Sequence, residues 1–282
     1  MAPLPNLIVI GSPKCGTTSL HYYLSLHPDI FMSRKKELRF FNDDNNWNKG
    51  IDWYKAQFET RKTVSIWGES SPGYTKYPRW PHVPERMHSV VPHARLIQIV
   101  RDPMARMISH YRQSVDAGEL QPDLNREASR LGQSVIVMAS RQCYQLEQYL
   151  PFYPMSQILV ITQEDLLRNR PDTMRSIYRF LGVDDSFDSP KLSKILNASA
   201  SKRVMNRAGR VLVKALEWVK VGQKIPPLVG VPLRTALLKR LSRPIEQAVL
   251  DPALEQRLLE IFRDDAERLR RLTGLKLEGW CV

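Results

Sequence analysis

The chain has 282 residues, 43% of them hydrophobic, so it can bury a full core as one large α/β domain or as a domain with an appendage. Its 42 Lys and Arg against 29 Asp and Glu leave a formal charge of +13, which attracts anions without choosing among nucleic acid, an acidic membrane, a polyanionic substrate and a nucleotide. The three cysteines, Cys15, Cys143 and Cys281, are far apart and odd in number, which argues against a disulfide framework or a zinc cluster and for a reducing compartment.

The first element is the apolar run Leu7-Ile-Val-Ile10, a strand pattern. It is far too short for a membrane span, lacks a basic flank and leads into a loop rather than a cleavage site, so the expected location is the cytoplasm. Directly after it comes Gly11-Ser-Pro-Lys-Cys-Gly-Thr-Thr-Ser-Leu20, with a helix expected over 17–26. A buried strand running through a glycine turn into a helix opened by hydroxyls offers backbone N–H groups, the positive helix end and Lys14 to a phosphate-like anion. Gly11 and Gly16 have Walker A spacing, but Thr17 stands where that motif has its lysine, and the lysine lies inside the loop at Lys14. Nucleoside triphosphate chemistry also needs Mg2+, so this variant favours sulfuryl over ATP chemistry, with an ordinary strand–turn–helix junction as the plain alternative. Cys15 admits a thiolate nucleophile, since a helix N-terminus lowers a thiol pKa. The arginine that a phosphatase loop needs six residues on is His21, however, which favours loop packing for Cys15.

Further along, helices are expected at 51–58, 83–89, 103–116, 137–150 and 171–181, and strands at Val64–Trp67, Arg95–Val100 and Ile158–Ile161. Segments 42–53 and 72–92 read as loops over the sheet edge, 83–89 excepted, and 118–134 as a mobile insertion. Strands alternating with helices predict a P-loop-like parallel sheet flanked by helices, with ligands at the C-terminal strand ends, where Gly11 and Arg101 fall. Asp102 is a good N-cap and Pro103 a good first helical residue, so Ser109 lies about two turns along that helix. Arg101, a forked permanent cation, and Ser109, a short neutral donor, can address one phosphate. Beyond Ser201 a basic helical C-terminal extension is expected, broken at Pro226-Pro227 and Pro244, with a final helix over 251–271. Its stretch from Lys202 to Arg243 carries eleven Lys and Arg against Glu217 alone.

Together these residues resemble the sulfotransferases that use 3'-phosphoadenosine 5'-phosphosulfate. The loop Gly11–Leu20 is similar to their 5'-phosphosulfate motif, and Arg101 with Ser109, roughly 90 residues on, to their 3'-phosphate motif. The likeness continues through His27-Pro28, Lys36-Glu37-Leu-Arg-Phe-Phe41, Glu69-Ser-Ser-Pro-Gly-Tyr74 and Leu275 to Trp280. It covers nearly the whole chain as a single domain, with a core over about 1–200 and the extension over about 201–282. The Lys-Glu-x-x-Phe-Phe pattern resembles the heparan-sulfate-type and related bacterial branch more than the cytosolic phenol and steroid branch. The resemblance implies a co-substrate held by Lys14, Cys15, Gly16, Thr17, Thr18 and Ser19 at one end. At the other end Arg101, Ser109, Lys202 and Arg203 are implied, the last two in a late basic loop. It also implies Glu37 as general base, Lys14 as stabiliser of the leaving oxygen, and in-line transfer without a metal.

Two departures fall on the acceptor side: Ser70 replaces a lysine that the branch often has after Glu69, and Arg39 replaces a histidine. Glu69 either supports the acceptor pocket or pairs with a basic neighbour, and His110 reads as a helix residue rather than a base. The acceptor implied is a small molecule, lipid or saccharide bearing a hydroxyl, with an amine less favoured. The rival functions are a P-loop kinase of a small metabolite and a basic module that binds nucleic acid or a membrane. No recognised nucleic-acid motif accompanies the charge, so no nucleic-acid partner is expected. Segment 202–243 reads as an interfacial helix for peripheral membrane contact or as a lid over the site.

Overall fold

The computed structural model describes residues 3–59, 63–194, 203–205, 242–244 and 249–282, with only the backbone of the two short middle segments. Lys202 and the membrane reading of 202–243 therefore fall outside the described residues, those two segments apart.

Five strands, β1 (Leu7–Gly11), β2 (Ile30–Met32), β3 (Ile66–Ser70), β4 (Arg95–Val100) and β5 (Ile158–Thr162), form one sheet in the order β2-β3-β1-β4-β5. Every pairing is parallel. All five residues of β1 are buried, as expected of a central strand covered on both faces. Alternation then divides the core. Leu7, Val9, Ile97 and Ile99 meet Leu20, Leu24, Ile177 and Leu181, which come from α1 (Thr17–Leu26) and α10 (Arg170–Leu181). Ile8, Ile10, Leu96 and Val100 face the other way, onto Met87 of α4 (Val83–Val90) and Leu146 of α8 (Gln142–Glu147). Ala266 and Leu269 of the last described helix, α11 (Pro252–Thr273), complete that layer.

The structure adds elements that the sequence pattern does not reveal. Strand β2 is three residues long, too short for a period to show. The expected loop 42–53 carries α2 (Asp44–Trp47) and the start of α3 (Gly50–Ala56). The expected insertion 118–134 is structured. Its helix α6 (Leu124–Ser129) buries Leu124 and Ala128 against Met104 and Met107 of α5 (Pro103–Asp116) and Leu258 and Phe262 of α11. The single helix expected over 137–150 is broken into α7 (Val135–Met138) and α8, between which Arg141 leaves the helical region. A short helix α9 (Gln163–Arg168) follows β5.

Where helices are expected past Ser201, the described backbone is extended at β6 (Arg203–Met205), paired antiparallel with β7 (Ser242–Pro244). Strand β6 lies against α5, the helix that carries Ser109.

Candidate active site

Strand ends β1, β3, β4 and β5 meet at one edge of the sheet, and the candidate residues collect there. At the end of β1 a side chain has no room unless Thr75 shifts: a Cβ on Gly11 would lie 2.0 Å from the Thr75 hydroxyl oxygen. Gly16 then takes φ 95°, a left-handed conformation that glycine adopts at little cost, and becomes the N-cap of α1. No side chain caps that end and no acid sits in the first turn, so its positive pole stays open to an anion. Thr17 and Ser19 are buried in the first turn and Thr18 is half-buried.

Lys14 itself has φ 72°, which turns the loop over. Its carbonyl accepts from Arg101 Nη1 at 3.3 Å, so the two phosphate motifs, 87 residues apart, touch directly. Arg101 is fixed by Gln142, whose Oε1 accepts from the Arg101 N–H at 2.9 Å and whose Nε2 donates to the Arg101 carbonyl at 2.6 Å. Asp102 caps α5 by accepting from the Ala105 N–H at 2.8 Å, and Ser109 is half-buried on that helix.

Cys15 carries no thiolate at neutral pH. Full burial pushes its thiol up to about 12, and Arg106, Arg101 and Lys14 only partly oppose this. Its Sγ instead lies 3.6 Å from Gln142 Oε1, in the packing role that free cysteine commonly takes.

Glu37 lies across the β1 loop from Arg101, at the end of β3. Its N–H donates to the Ser70 carbonyl at 3.0 Å, and the Ser70 hydroxyl contacts His21 Nδ1 at 2.9 Å one turn along α1 from Thr17. The Glu37 carboxylate binds Lys36 at 3.0 Å and Arg39 at 3.3 Å. Partial burial works to raise its pKa, but Lys36 and then Arg39 outweigh it and hold the group below the usual carboxylate range. Burial and Lys36 push His21 down to about 4, so its ring is neutral at neutral pH. His110 is likewise kept neutral, held well below the usual imidazole range by burial first and Arg106 second.

Of the two roles expected for Glu69, pairing with a basic neighbour does not occur among the described residues. Glu69 is fully buried and accepts from Tyr54 at 2.6 Å, Tyr74 at 3.0 Å and Ser71 at 2.9 Å, all hydroxyls and none a cation. Burial raises its pKa against those three bonds.

Sequence reasoning misses three residues that shape the site. Gln142 and Arg106 read only as polar positions on helices, and nothing in their spacing marks them. Asp265 on α11 accepts from the N–H groups of Cys143 and Tyr144, both at 2.9 Å, and so fixes the helix that presents Gln142. Beside the loop lies a cavity of about 250 Å3 lined by Lys76, Tyr77, Pro78, Arg79, Gln133, Val135 and Met138. Burial lowers Lys76 to about 8, with Arg106, Arg79 and Arg39 also opposing its charge.

The Sulfotransferase domain model matches residues 4–214 of the chain. The human bifunctional heparan sulfate N-deacetylase/N-sulfotransferase 2 is 31% identical over 199 residues, 64% of this chain and 22% of that protein. Human heparan sulfate glucosamine 3-O-sulfotransferase 5 is 29% identical over 190 residues, 64% of this chain and 54% of that protein. The chain thus spans between about a fifth and about half of these relatives. In structure, a sulfotransferase from Alicyclobacillus acidocaldarius superposes with a TM-score of 0.68 at 22% identity, covering 99% of each chain.

Proposed function

The chain belongs to the sulfotransferase family, and on that premise we propose that it transfers a sulfuryl group from 3'-phosphoadenosine 5'-phosphosulfate to a hydroxyl on an acidic saccharide. The observation that carries the reading is the convergence of Lys14 and Arg101 on one uncapped helix N-terminus. Its open N–H groups and two neighbouring cations suit a ligand with anions at both ends. When bound, that ligand supplies an activated sulfuryl group. The N-terminal turn of α1 holds its 5' end, Arg101 and Ser109 hold its 3'-phosphate, and Lys14 stabilises charge as it develops on the leaving oxygen.

Glu37 takes the proton of the acceptor hydroxyl. Its lowered pKa keeps it ionised at neutral pH, and the cations that lower it also orient it. A protonated, buried Cys15 supports direct in-line transfer over a route through a covalent thiol intermediate. The backbone of β6 beside α5 supports a place for Arg203 near the 3' end.

Acceptor chemistry is read from the cavity. It begins at Lys76, next to the Thr75 that abuts Gly11, and its cations Lys76 and Arg79 both lie over the Trp80 ring, at 5.6 and 5.0 Å. Such a wall suits a ring carrying a carboxylate or sulfate. A cytoplasmic setting is supported by three free thiols, Cys281 among them exposed.

The test supplies donor labelled with radioactive sulfur to the protein with a glucuronate-containing oligosaccharide, a neutral oligosaccharide or a long-chain alcohol. Label is expected on the glucuronate-containing acceptor first. Equal binding of adenosine 5'-phosphate with and without a 3'-phosphate, or magnesium-dependent ATP turnover, counts against the reading.

A further inference from the structure

Arg106 heads the fully buried side chains by volume, with 0% exposure among the described residues. Its Nε donates to Ser140 Oγ at 2.9 Å, and its Nη1 donates to the Pro13 carbonyl at 3.2 Å. Its Nη2 donates to the Ile136 carbonyl at 2.7 Å and to His110 Nδ1 at 3.2 Å. The donors are satisfied but the charge is not, because none of these described partners is a carboxylate. Burial lowers the guanidinium only to about 10, so it is a cation at neutral pH. Its electrostatic neighbours do not neutralise it: Arg101 adds positive charge, and the Cys15 thiol, pushed up to about 12, stays protonated. A buried charge without a counter-charge opposes folding strongly.

Its position shows where a counter-charge would come from. Arg106 holds the Pro13 carbonyl and Arg101 holds the Lys14 carbonyl, so two guanidiniums from one strand–helix junction grip consecutive carbonyls of the loop. The same loop runs into the α1 N-terminus, which no side chain caps and which is the side on which an anion seats. We propose that Arg106 is a positioning residue that acts through its charge: bonded to the back of the Pro13–Lys14 turn, it places there a positive charge that the fold leaves unbalanced until the 5'-anion of the co-substrate arrives. This rests on the reading of Gly11–Ser19 as the 5' site.

A plain brace between the loop and α7 makes a different prediction. Arg106→Lys keeps the charge and loses the fork, whereas Arg106→Gln keeps donors and loses the charge. Each is titrated calorimetrically with adenosine 3',5'-diphosphate and with adenosine 3'-phosphate. The Lys variant is expected within about threefold of the unaltered protein for both ligands, and the Gln variant about tenfold or more weaker for the diphosphate alone.

Equal weakening by Lys and Gln, or equal weakening for both ligands, marks a brace and overturns the proposal. So does diphosphate binding by the Gln variant at full strength. If Gln does not fold, Arg106→Met replaces it; failure of both neutral variants to fold without nucleotide shows that the fold itself needs the charge, which also overturns it. An unaltered protein that shows no preference for the diphosphate removes the 5' site and this inference together. A preference that persists while Lys and Gln behave alike removes the inference only.

Discussion

Glu37→Gln separates chemistry from fold most cleanly, because it changes a charge and almost nothing else. The Glu37 N–H bond to the Ser70 carbonyl, 3.0 Å, belongs to the backbone and survives, and the φ of 63° strains Gln as it strains Glu. What is lost is the pairing with Lys36 at 3.0 Å and Arg39 at 3.3 Å, around a side chain 36% exposed. Ion pairs this open contribute about 0.2–1 kcal/mol each, so the fold loses no more than about 2 kcal/mol. Removing a general base costs roughly 10²- to 10⁴-fold in rate, or about 3–5 kcal/mol of barrier. Its contacts lie with Lys36 and Arg39 rather than with Lys14 or Arg101, so nucleotide affinity should stay within about twofold, an energy below about 0.5 kcal/mol. The assay pairs initial rates of label transfer to the glucuronate-containing acceptor with calorimetric titration of adenosine 3',5'-diphosphate. Because the active form is the carboxylate and its pKa lies below the usual range, kcat/KM of the unaltered protein should stay flat downward through neutral pH and fall only in acid. A Gln variant within about fivefold of the parent rate, or one whose loss of rate is matched by loss of nucleotide affinity, refutes Glu37 as the base.

Two further outcomes are expected. Ser71→Ala removes the hydroxyl that donates to Glu69 at 2.9 Å and accepts from the Arg39 N–H at 3.2 Å; kcat should fall about tenfold with nucleotide affinity intact, and an unchanged kcat counts against it. Burial raises Asp265 from 3.8 to about 6, so the folded state binds its proton more tightly than the unfolded chain, and its contribution to stability is full below about pH 3.8 and lost as pH rises through about 6. Denaturant melts of Asp265→Asn should therefore show a flatter stability profile across that window, and a steeper one would contradict the assignment.

The donor half of the site is legible in the sequence because local rules write it. A buried strand, two glycines at a fixed spacing and hydroxyls at a helix start mark the loop within ten residues of sequence. Asp102-Pro103 likewise specifies where α5 begins, and hence where Arg101 and Ser109 lie. The rest of the site is written by tertiary contacts. Glu69 looks like a partner for a basic residue until Tyr54 and Tyr74 arrive from other elements, and Gln142 gains meaning only when α8 is brought under Arg101. Arg106 is invisible for the same reason: its partners Pro13, Ile136 and Ser140 lie 93, 30 and 34 residues away. The segment 118–134 reads as a mobile insertion because its buried hydrophobic positions, Leu124 and Ala128, are too few to show a period.

Two carboxylates near the end of β3 show how environment divides labour between identical groups. Glu69 is sealed under three hydroxyls and burial raises it, while Glu37 stands half-open between two cations and is lowered. The pair is joined by one chain of bonds. Glu69 accepts from the Ser71 hydroxyl, that oxygen accepts from the Arg39 N–H, and the Arg39 guanidinium holds Glu37. Both Glu37 and Arg39 have positive φ, at 63° and 54°, conformations that non-glycine residues keep only when their surroundings over-determine them. The buried acid thus fixes a frame that holds the exposed acid in a turn it would not adopt alone. Arg39, on that turn, and Ser70, the last residue of β3, are the two positions at which the chain departs from the pattern it resembles.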